Sequence, residues 1–229
     1  TASVAIQNSV RTSESQNVIA MIPGTQRPAE TIIYTAHWDH LGANPELSGD
    51  NIYNGAADNA TGTAALLAMA KMHADAGPAP RSVVFLAVTA EESGLLGSRW
   101  YAEHPVFPLA TTVANINIDV LNTYGPMHDI EVVGNGSSEL EASLDAAATA
   151  QGRHLVEEPN PERGYYYRSD HFNFAKAGVP ALYAESGEDS VEFGSQWGAE
   201  QAQDYNENRY HAPSDEYDPS WNLEGAAQD

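Results

Sequence analysis

The chain alternates between short apolar runs and longer amphipathic segments. The run SVVFLAVTA (82–90) is almost unbroken, which is typical of a strand buried on both faces of a sheet. The other predicted strands are 3–10, 17–24, 31–36, 111–120, 129–134 and 179–186. The first two of these flank the polar stretch RTSESQ, so we expect them to pair antiparallel.

Segments with helical signals separate these strands. The predicted helices span 61–77, 93–104, 137–152 and 171–178. Thr61 is expected to cap the first helix and Gly77 to end it, while Pro105 ends the second. Ser138 and Glu141 have the spacing of a capping box at the start of the third.

This order of elements predicts an α/β fold. Strands that alternate with helices favour a largely parallel central sheet covered on both faces, that is, a three-layer α/β/α sandwich. Residues 187–220 show no clear period and are expected to form long ordered loops. We find no repeat and no linker, so 1–229 is interpreted as one domain, whose abrupt start suggests excision from a longer chain.

Composition narrows the possible functions. The chain has 229 residues, and its 42% of hydrophobic residues predict a folded globular protein. A formal charge of −22 repels nucleic acid and anionic membranes and attracts cations, although such acidity also serves solubility or salt adaptation. No apolar run reaches the ~18 residues of a membrane helix. Without cysteine, a metal site must use histidines and carboxylates.

Three predicted strands end in residues that are costly to bury without a partner. His37 follows the strand 31–36, Glu91 and Glu92 follow 82–90, and Asp119 lies at the end of 111–120. One such ending could be a solvated turn. Because parallel strands present their carboxyl ends at one edge of the sheet, three endings together indicate a site at that edge.

Two further candidates complete a metal-binding set. Asp58 precedes the helix 61–77 in a loop of small residues, and His211 lies in the C-terminal loops. Two histidines and three carboxylates suit two divalent ions that share one aspartate and activate a bridging water. Glu91 is then the natural proton acceptor, and Asp39 is expected behind His37, fixing its tautomer.

Five motifs, taken in order, resemble the M28 family of co-catalytic dizinc peptidases. They are TAHWDHLG, NGAADNATGTAALLAMAK, FLAVTAEESGLLGS, NINID and YHAPSDE, and the resemblance runs from about residue 17 to 218. It implies a twisted mixed sheet between helices and a cofactor of two Zn²⁺, for which Co²⁺ or Mn²⁺ could substitute. The family's N-terminal region and inserted protease-associated domain are not in this sequence, so we interpret it as the catalytic domain of a longer, exported protein.

The resemblance also implies residue roles. His37 and Asp119 bind one zinc ion, Glu92 and His211 bind the other, and Asp58 bridges the two, with a cis peptide bond to Asn59. Glu91 is the general base. Tyr210 stabilises the oxyanion. Asp170 and His171 support the site or contact substrate.

The second histidine ligand is the least direct assignment, because His171 also follows an aspartate that could orient its ring. We favour His211, which a long loop can fold back over the sheet edge together with Tyr210. Asp215 or Glu216 is then expected to accept the other ring N–H of His211. His171 is expected at the wall of the substrate pocket.

The predicted function is removal of N-terminal residues from peptide substrates by an aminopeptidase. Arg168 and Arg209 keep a carboxypeptidase or dipeptidase open as an alternative. A glutaminyl cyclase and a catalytically inactive peptidase-like binding module are further alternatives, which the complete ligand set disfavours. No pattern in the sequence predicts an oligomeric state.

Overall fold

The computed structural model of the protein describes residues 2–229 and has an α/β architecture. Its strands are β1 (Val18–Ile22), β2 (Arg27–His37), β3 (Gly42–Ala43), β4 (Ile52–Tyr53), β5 (Arg81–Val88), β6 (Thr112–Asn117), β7 (Asp129–Val132), β8 (His154–Glu157) and β9 (Ala181–Ser186). Its helices are α1 (Thr61–Ala76), α2 (Leu96–Glu103), α3 (Glu141–Ala150), α4 (His171–Lys176), α5 (Ser195–Asn208) and α6 (Glu224–Gln228).

Seven strands form one mixed sheet in the order β1-β5-β2-β6-β9-β7-β8. The four central strands, β5, β2, β6 and β9, run parallel to one another. β1 is antiparallel to β5, and β7 is antiparallel to β9 but parallel to β8. The short strands β3 and β4 form a separate pair. The predicted three-layer sandwich around a mostly parallel mixed sheet is confirmed.

The core lies on both faces of β5, as the unbroken apolar run predicted. Val84, Leu86 and Val88 face α2 and α4 in a cluster that includes Phe174. The alternate side chains face α1, where Phe85 packs in a cluster around Leu66. Helices therefore cover the sheet on both sides, and the loops that follow the parallel strands lie at the carboxyl edge of the sheet.

The strand predicted over residues 3–10 is wrong. No regular secondary structure is present from residue 2 to 16, and β1 pairs with β5 instead. Val4, Ile6 and Val10 alternate with polar residues, yet their exposed fractions are 82–86%. Alternation alone did not make a strand here, since these side chains have no neighbouring surface on which to pack.

The prediction of loops over 187–220 is also wrong, since α5 occupies 14 of these residues. This helix buries only Gly198 and Tyr205, so its sequence carries little helical periodicity. β8 was not predicted from the sequence either. Among the described residues, no helix combines the length and apolarity needed to span a membrane.

Three predicted helix boundaries can be compared directly. Gly77 ends α1 as expected. Thr61 does not cap it: a wide turn over Ala56–Ala60 precedes the helix, and the Thr61 hydroxyl donates to the Ala57 carbonyl at 2.7 Å. Before α3, the Glu141 carboxylate accepts the Ser138 N–H at 3.1 Å, as in a capping box.

Candidate metal centre

The candidate site lies at the carboxyl edge of the central sheet. His37 is the last residue of β2, Glu91 and Glu92 follow β5, and Asp119 follows β6. β5 and β6 flank β2 in the same direction, so these side chains meet at one edge, as the sequence predicted.

Asp58 lies at the centre of the group and contacts a histidine with each carboxylate oxygen. Its Oδ1 is 3.1 Å from His37 Nε2, which is also 3.1 Å from Asp119 Oδ1. Its Oδ2 is 3.4 Å from His211 Nε2, which is also 3.0 Å from Glu92 Oε2. The five candidate ligands thus form two groups that share Asp58.

A third histidine, which sequence analysis missed, lies beside the second group. His40 Nδ1 is 2.7 Å from Glu92 Oε1, and its side chain is buried. One ligand atom from each of His40, Asp58 and Glu92 can be chosen so that all three lie within 4.8 Å of one another. The signal for His40 was present in the sequence, since the motif HWDH contains a second histidine.

Asp215 holds the turn that carries Asp58. Its carboxylate accepts the backbone N–H of Ala57 at 2.9 Å and that of Asp58 at 3.0 Å. The expectation that Asp215 or Glu216 would orient His211 is wrong, because the Asp215 carboxylate is used in this way and Glu216 accepts from Asn54 at 3.1 Å.

The same turn is fixed by its close contacts. Gly55 has a φ of 62°, and a Cβ there would lie 2.4 Å from the Asp58 carbonyl and 2.6 Å from the His40 ring. The Asn59 side chain accepts from the Gly62 N–H and donates to the Ile118 carbonyl, each at 3.0 Å. The peptide bond between Asp58 and Asn59 is cis, as the family resemblance implied.

A chain of buried hydrogen bonds orients Asp119. The Ser169 hydroxyl donates to Asp119 Oδ2 at 2.5 Å and accepts from Asn117 Nδ2 at 2.7 Å. Asn117 in turn accepts from the Thr35 hydroxyl at 2.8 Å, and Thr35 accepts from Asn115 at 3.1 Å. Thr35 lies in β2, and Asn115 and Asn117 lie in β6, so the sheet holds Ser169 in place and Ser169 in turn orients the Asp119 carboxylate.

Backbone conformations next to the candidate ligands are uncommon. Among the described residues, four non-glycine residues have positive φ: Ala90 (55°), Leu95 (59°), Val120 (55°) and His211 (54°). Ala90 precedes Glu91, Val120 follows Asp119, and His211 is itself a candidate ligand. Such conformations cost about 1–3 kcal/mol each and concentrate at functional sites.

The electrostatics of the group fit a pair of bound cations. Burial lowers the pKa of His37, but hydrogen bonds to Asp119 and Asp58 outweigh burial and raise it to about 12. Hydrogen bonds to Asp58 and Glu92 raise the pKa of His211 to about 10. Protons are thus held strongly between carboxylates. A divalent cation bound by the same nitrogen and oxygen donors would supply that positive charge instead.

Glu91 and Tyr210 border the same cavity, which has a volume of about 280 Å³. Burial raises the pKa of Glu91 to about 9, and the nearby Asp119 carboxylate adds to the rise. The Tyr210 ring stacks on His211 at 3.9 Å between centroids. Burial, then the charges of Asp58 and Glu92, raises the pKa of the Tyr210 phenol, so it remains a hydrogen-bond donor.

Asp39 is placed behind His37, but through a different atom than expected. His37 Nδ1 is 3.1 Å from the backbone carbonyl of Asp39, which can accept its proton and fix the tautomer. The Asp39 carboxylate instead accepts the Glu91 N–H at 3.3 Å. Asp39 thus accepts from His37 through its backbone, as an acceptor behind the ring was expected to do, while its carboxylate holds the turn that carries Glu91.

Asp170 and His171 lie inside the protein and not at the cavity wall. Both are fully buried, and neither borders the cavity. The His171 ring packs at 4.9 Å from Tyr166 and 5.0 Å from Tyr183, between centroids. The expected position of His171 at the pocket wall is wrong, because Tyr183 lies between this ring and the cavity.

The chain resembles known peptidases over most of its length. Residues 17–229 match the model of peptidase family M28. Aminopeptidase YwaD of Bacillus subtilis is 28% identical over 203 residues, which are 88% of this chain and 39% of the relative. A probable lipoprotein aminopeptidase, LpqL of Mycobacterium tuberculosis, is 28% identical over 94% of this chain and 43% of its own length. The chain therefore spans less than half the length of these relatives.

Solved structures resemble the fold as well. The crystal structure of BSAP, a zinc aminopeptidase from Bacillus subtilis, gives a TM-score of 0.66 at 26% identity. The match covers 93% of this chain and 47% of that chain.

Proposed function

Because the chain belongs to peptidase family M28, we propose that it is a zinc-dependent aminopeptidase that removes the N-terminal residue of a peptide. The observation that carries the proposal is the pair of ligand groups sharing Asp58, one with His37 and Asp119 and the other with Glu92 and His211. Sets of histidine and carboxylate with one shared aspartate suit two zinc ions. The relatives and structures named aminopeptidases support the reaction class.

Zinc held by the two groups would polarise the scissile carbonyl and lower the pKa of the attacking water. Glu91 accepts the proton of that water and passes it to the leaving amine. Its raised pKa of about 9 reflects burial and neighbouring carboxylates, and cations held by those carboxylates would lower it toward neutrality.

Tyr210 is proposed to donate a hydrogen bond to the oxyanion as it forms. Its ring borders the cavity beside His211, and its phenol stays protonated at neutral pH. A donor aimed at the developing negative charge stabilises the transition state more than the substrate.

The surroundings of the cavity favour a substrate with a free amino end. Of the five candidate ligands, all but Glu92 border it, and so do Glu91, Glu131, Glu185 and Glu188. Carboxylates of this density attract an α-ammonium group and repel a C-terminal carboxylate.

A carboxypeptidase or dipeptidase is the second candidate, because Arg163 and Arg168 border the cavity. The Arg168 guanidinium lies 5.3 Å from the centre of the Tyr165 ring, and both arginines are exposed. Arg209, by contrast, pairs with Asp204 at 2.9 Å and does not border the cavity.

The test combines metal content with turnover. The protein is stripped of metal with a chelator, verified by mass spectrometry, and reloaded with Zn²⁺, Co²⁺ or Mn²⁺. We expect two ions per chain and hydrolysis of aminoacyl arylamides that depends on them. Preferential cleavage of N-blocked peptides with free C-termini would favour the second candidate. Full activity after verified demetallation would exclude the metal mechanism, and two bound ions without any turnover would indicate a binding module.

We further propose that residues 1–229 act as one catalytic domain within a longer, exported protein. The relative named a lipoprotein aminopeptidase supports the location, and the lengths of the relatives support further domains. Fractionation of the source cells with an antibody to this domain tests both points.

A further inference from the structure

A second group of carboxylates lies on the sheet beside the candidate metal centre. Glu131 of β7 is directly opposite Glu185 in the antiparallel pairing with β9. Glu131 is also opposite Val156 of β8, and Glu158 directly follows the end of that strand. Strands β9 and β7 thus present Glu185 and Glu131 side by side, and both border the cavity, while Glu158 lies just beyond the end of β8.

The most buried of these carboxylates is incompletely bonded. Glu158 is 8% exposed, and its Oε1 has no hydrogen-bond partner among residues 2–229. Its Oε2 accepts only the Gly134 N–H, at 3.4 Å. Its charge contributes to the raised pKa of both Glu131 and Glu185, so Glu158 lies close to both carboxylates. A buried carboxylate without partners is costly, and a cation would offset that cost.

No basic side chain neutralises the group within the described part of the chain. None of the three glutamates forms an ion pair there, and the two cavity arginines, Arg163 and Arg168, lie beyond 4.0 Å of any carboxylate. Burial and then the charge of Glu185 raise the pKa of Glu131 to about 8. Burial also raises the pKa of Glu185 to about 7, although the hydrogen bond that the Tyr183 hydroxyl donates to Glu185 acts to lower this pKa.

The group lies at side-chain distance from the reaction centre. β9 is the immediate neighbour of β6, which leads into Asp119, and β7 is the next strand outward. With strands spaced about 4.8 Å apart, Glu185 lies one strand from the metal centre and Glu131 two. An α-amino group adjoins the scissile bond, whereas lysine and arginine carry their charge at the end of a longer stem.

We propose that Glu131 and Glu185, backed by Glu158, form the subsite for a cationic side chain on the N-terminal residue of the substrate. The inference rests on the proposed aminopeptidase function and adds to it a substrate class, peptides that begin with lysine or arginine. The paired glutamates receive the ammonium or guanidinium group in charge-assisted hydrogen bonds, while the zinc centre acts on the adjoining carbonyl.

The test compares lysyl and norleucyl arylamides, which differ only in the terminal ammonium group. The zinc-loaded protein should hydrolyse the lysyl substrate with a kcat/KM about 10- to 100-fold higher, as expected for a charged hydrogen bond. Glu131→Gln and Glu185→Gln should each reduce that ratio, and the double variant should bring it near one. Glu157→Gln is the matched control. Val156 is paired with Glu131, so the next residue, Glu157, faces the opposite side of the sheet, and its substitution should leave the ratio unchanged.

A wild-type ratio of one or below in an active enzyme would overturn the inference, as would a ratio that the double variant leaves unchanged. If no arylamide is hydrolysed, the proposed function fails and the subsite is judged by calorimetry with L-lysinamide and L-norleucinamide. Tighter binding of lysinamide that Glu185→Gln abolishes would then support the subsite, and equal binding of the two amides would refute it.

Discussion

The carboxylate of Asp215 accepts the backbone N–H of Asp58 at 3.0 Å, across 157 residues of sequence. Its other oxygen accepts the Ala57 N–H at 2.9 Å. Asp215 is 1% exposed, so these bonds are shielded from water. A residue four positions after His211 thus ties the C-terminal segment to the turn that carries the central aspartate of the site.

We therefore expect Asp215→Asn to destabilise both the fold and the site. The amide keeps one acceptor but turns a donor toward one of the two N–H groups, which leaves buried donors facing each other. The cost should be about 1–3 kcal/mol of unfolding free energy. Urea unfolding and zinc titration measure the two effects. Glu216→Gln, at an exposed neighbour that accepts from Asn54, is the control and should change neither. Unchanged zinc affinity in Asp215→Asn would show that the turn holds Asp58 without this bond.

The chemistry of the site was more predictable than its support. His37, Glu91, Glu92 and Asp119 stand out because polar residues follow apolar strands, and strand direction alone brings such residues to one edge. Asp215 has no comparable signal, since an aspartate in a polar loop is the commonest case. Only the folded chain shows that its carboxylate faces backbone donors far away in sequence.

The fold shows the same contrast. β5 was predictable because burial on both faces leaves an unbroken apolar run. Residues 3–10 alternate like a strand but have no surface to cover, and α5 buries too little for a helical period to appear. Hydrophobic periodicity arises from burial, so elements that bury few side chains could not be predicted from it.

Glu91→Gln is expected to keep the fold and both metal ions yet lose most turnover. Glutamine preserves size and hydrogen bonding but cannot accept the proton of water, a loss that typically costs about 10²–10⁴-fold in kcat. Steady-state kinetics and metal analysis on the same preparation separate the two properties. Glu103→Gln, on the exposed end of α2, should behave as wild type. Near-native kcat in Glu91→Gln would require another base.

The choice among three histidines for the second ion is decided by metal counting. His211 Nε2 contacts carboxylates of both Asp58 and Glu92, whereas His40 contacts Glu92 alone. We expect His211→Ala to retain one zinc ion of two, and His40→Ala and His171→Ala to retain both. Mass spectrometry under native conditions gives the counts. Loss of an ion in His40→Ala, with two ions kept in His211→Ala, would assign the ligand to His40.

His171 should make the protein sensitive to acid. Burial lowers its pKa from 6.5 to about 4, so the folded state resists the proton that the unfolded chain accepts. Between these values the unfolded state binds more protons. The contribution of His171 to the free energy of unfolding is therefore fully present above about pH 6.5 and is lost as the pH falls toward 4.

The expected loss from this residue is about 2 kcal/mol of unfolding free energy between pH 7 and pH 5, since one pKa unit corresponds to about 1.4 kcal/mol. His171→Phe should remove that part of the pH dependence, because phenylalanine does not titrate and keeps an aromatic ring between Tyr166 and Tyr183. Urea unfolding at each pH, in excess chelator so that metal binding does not contribute, gives the profiles. His154→Asn, at an exposed histidine, is the control, and its dependence of unfolding free energy on pH should match that of the wild type. If His171→Phe and the wild type lose the same free energy between pH 7 and pH 5, the acid sensitivity belongs to other groups.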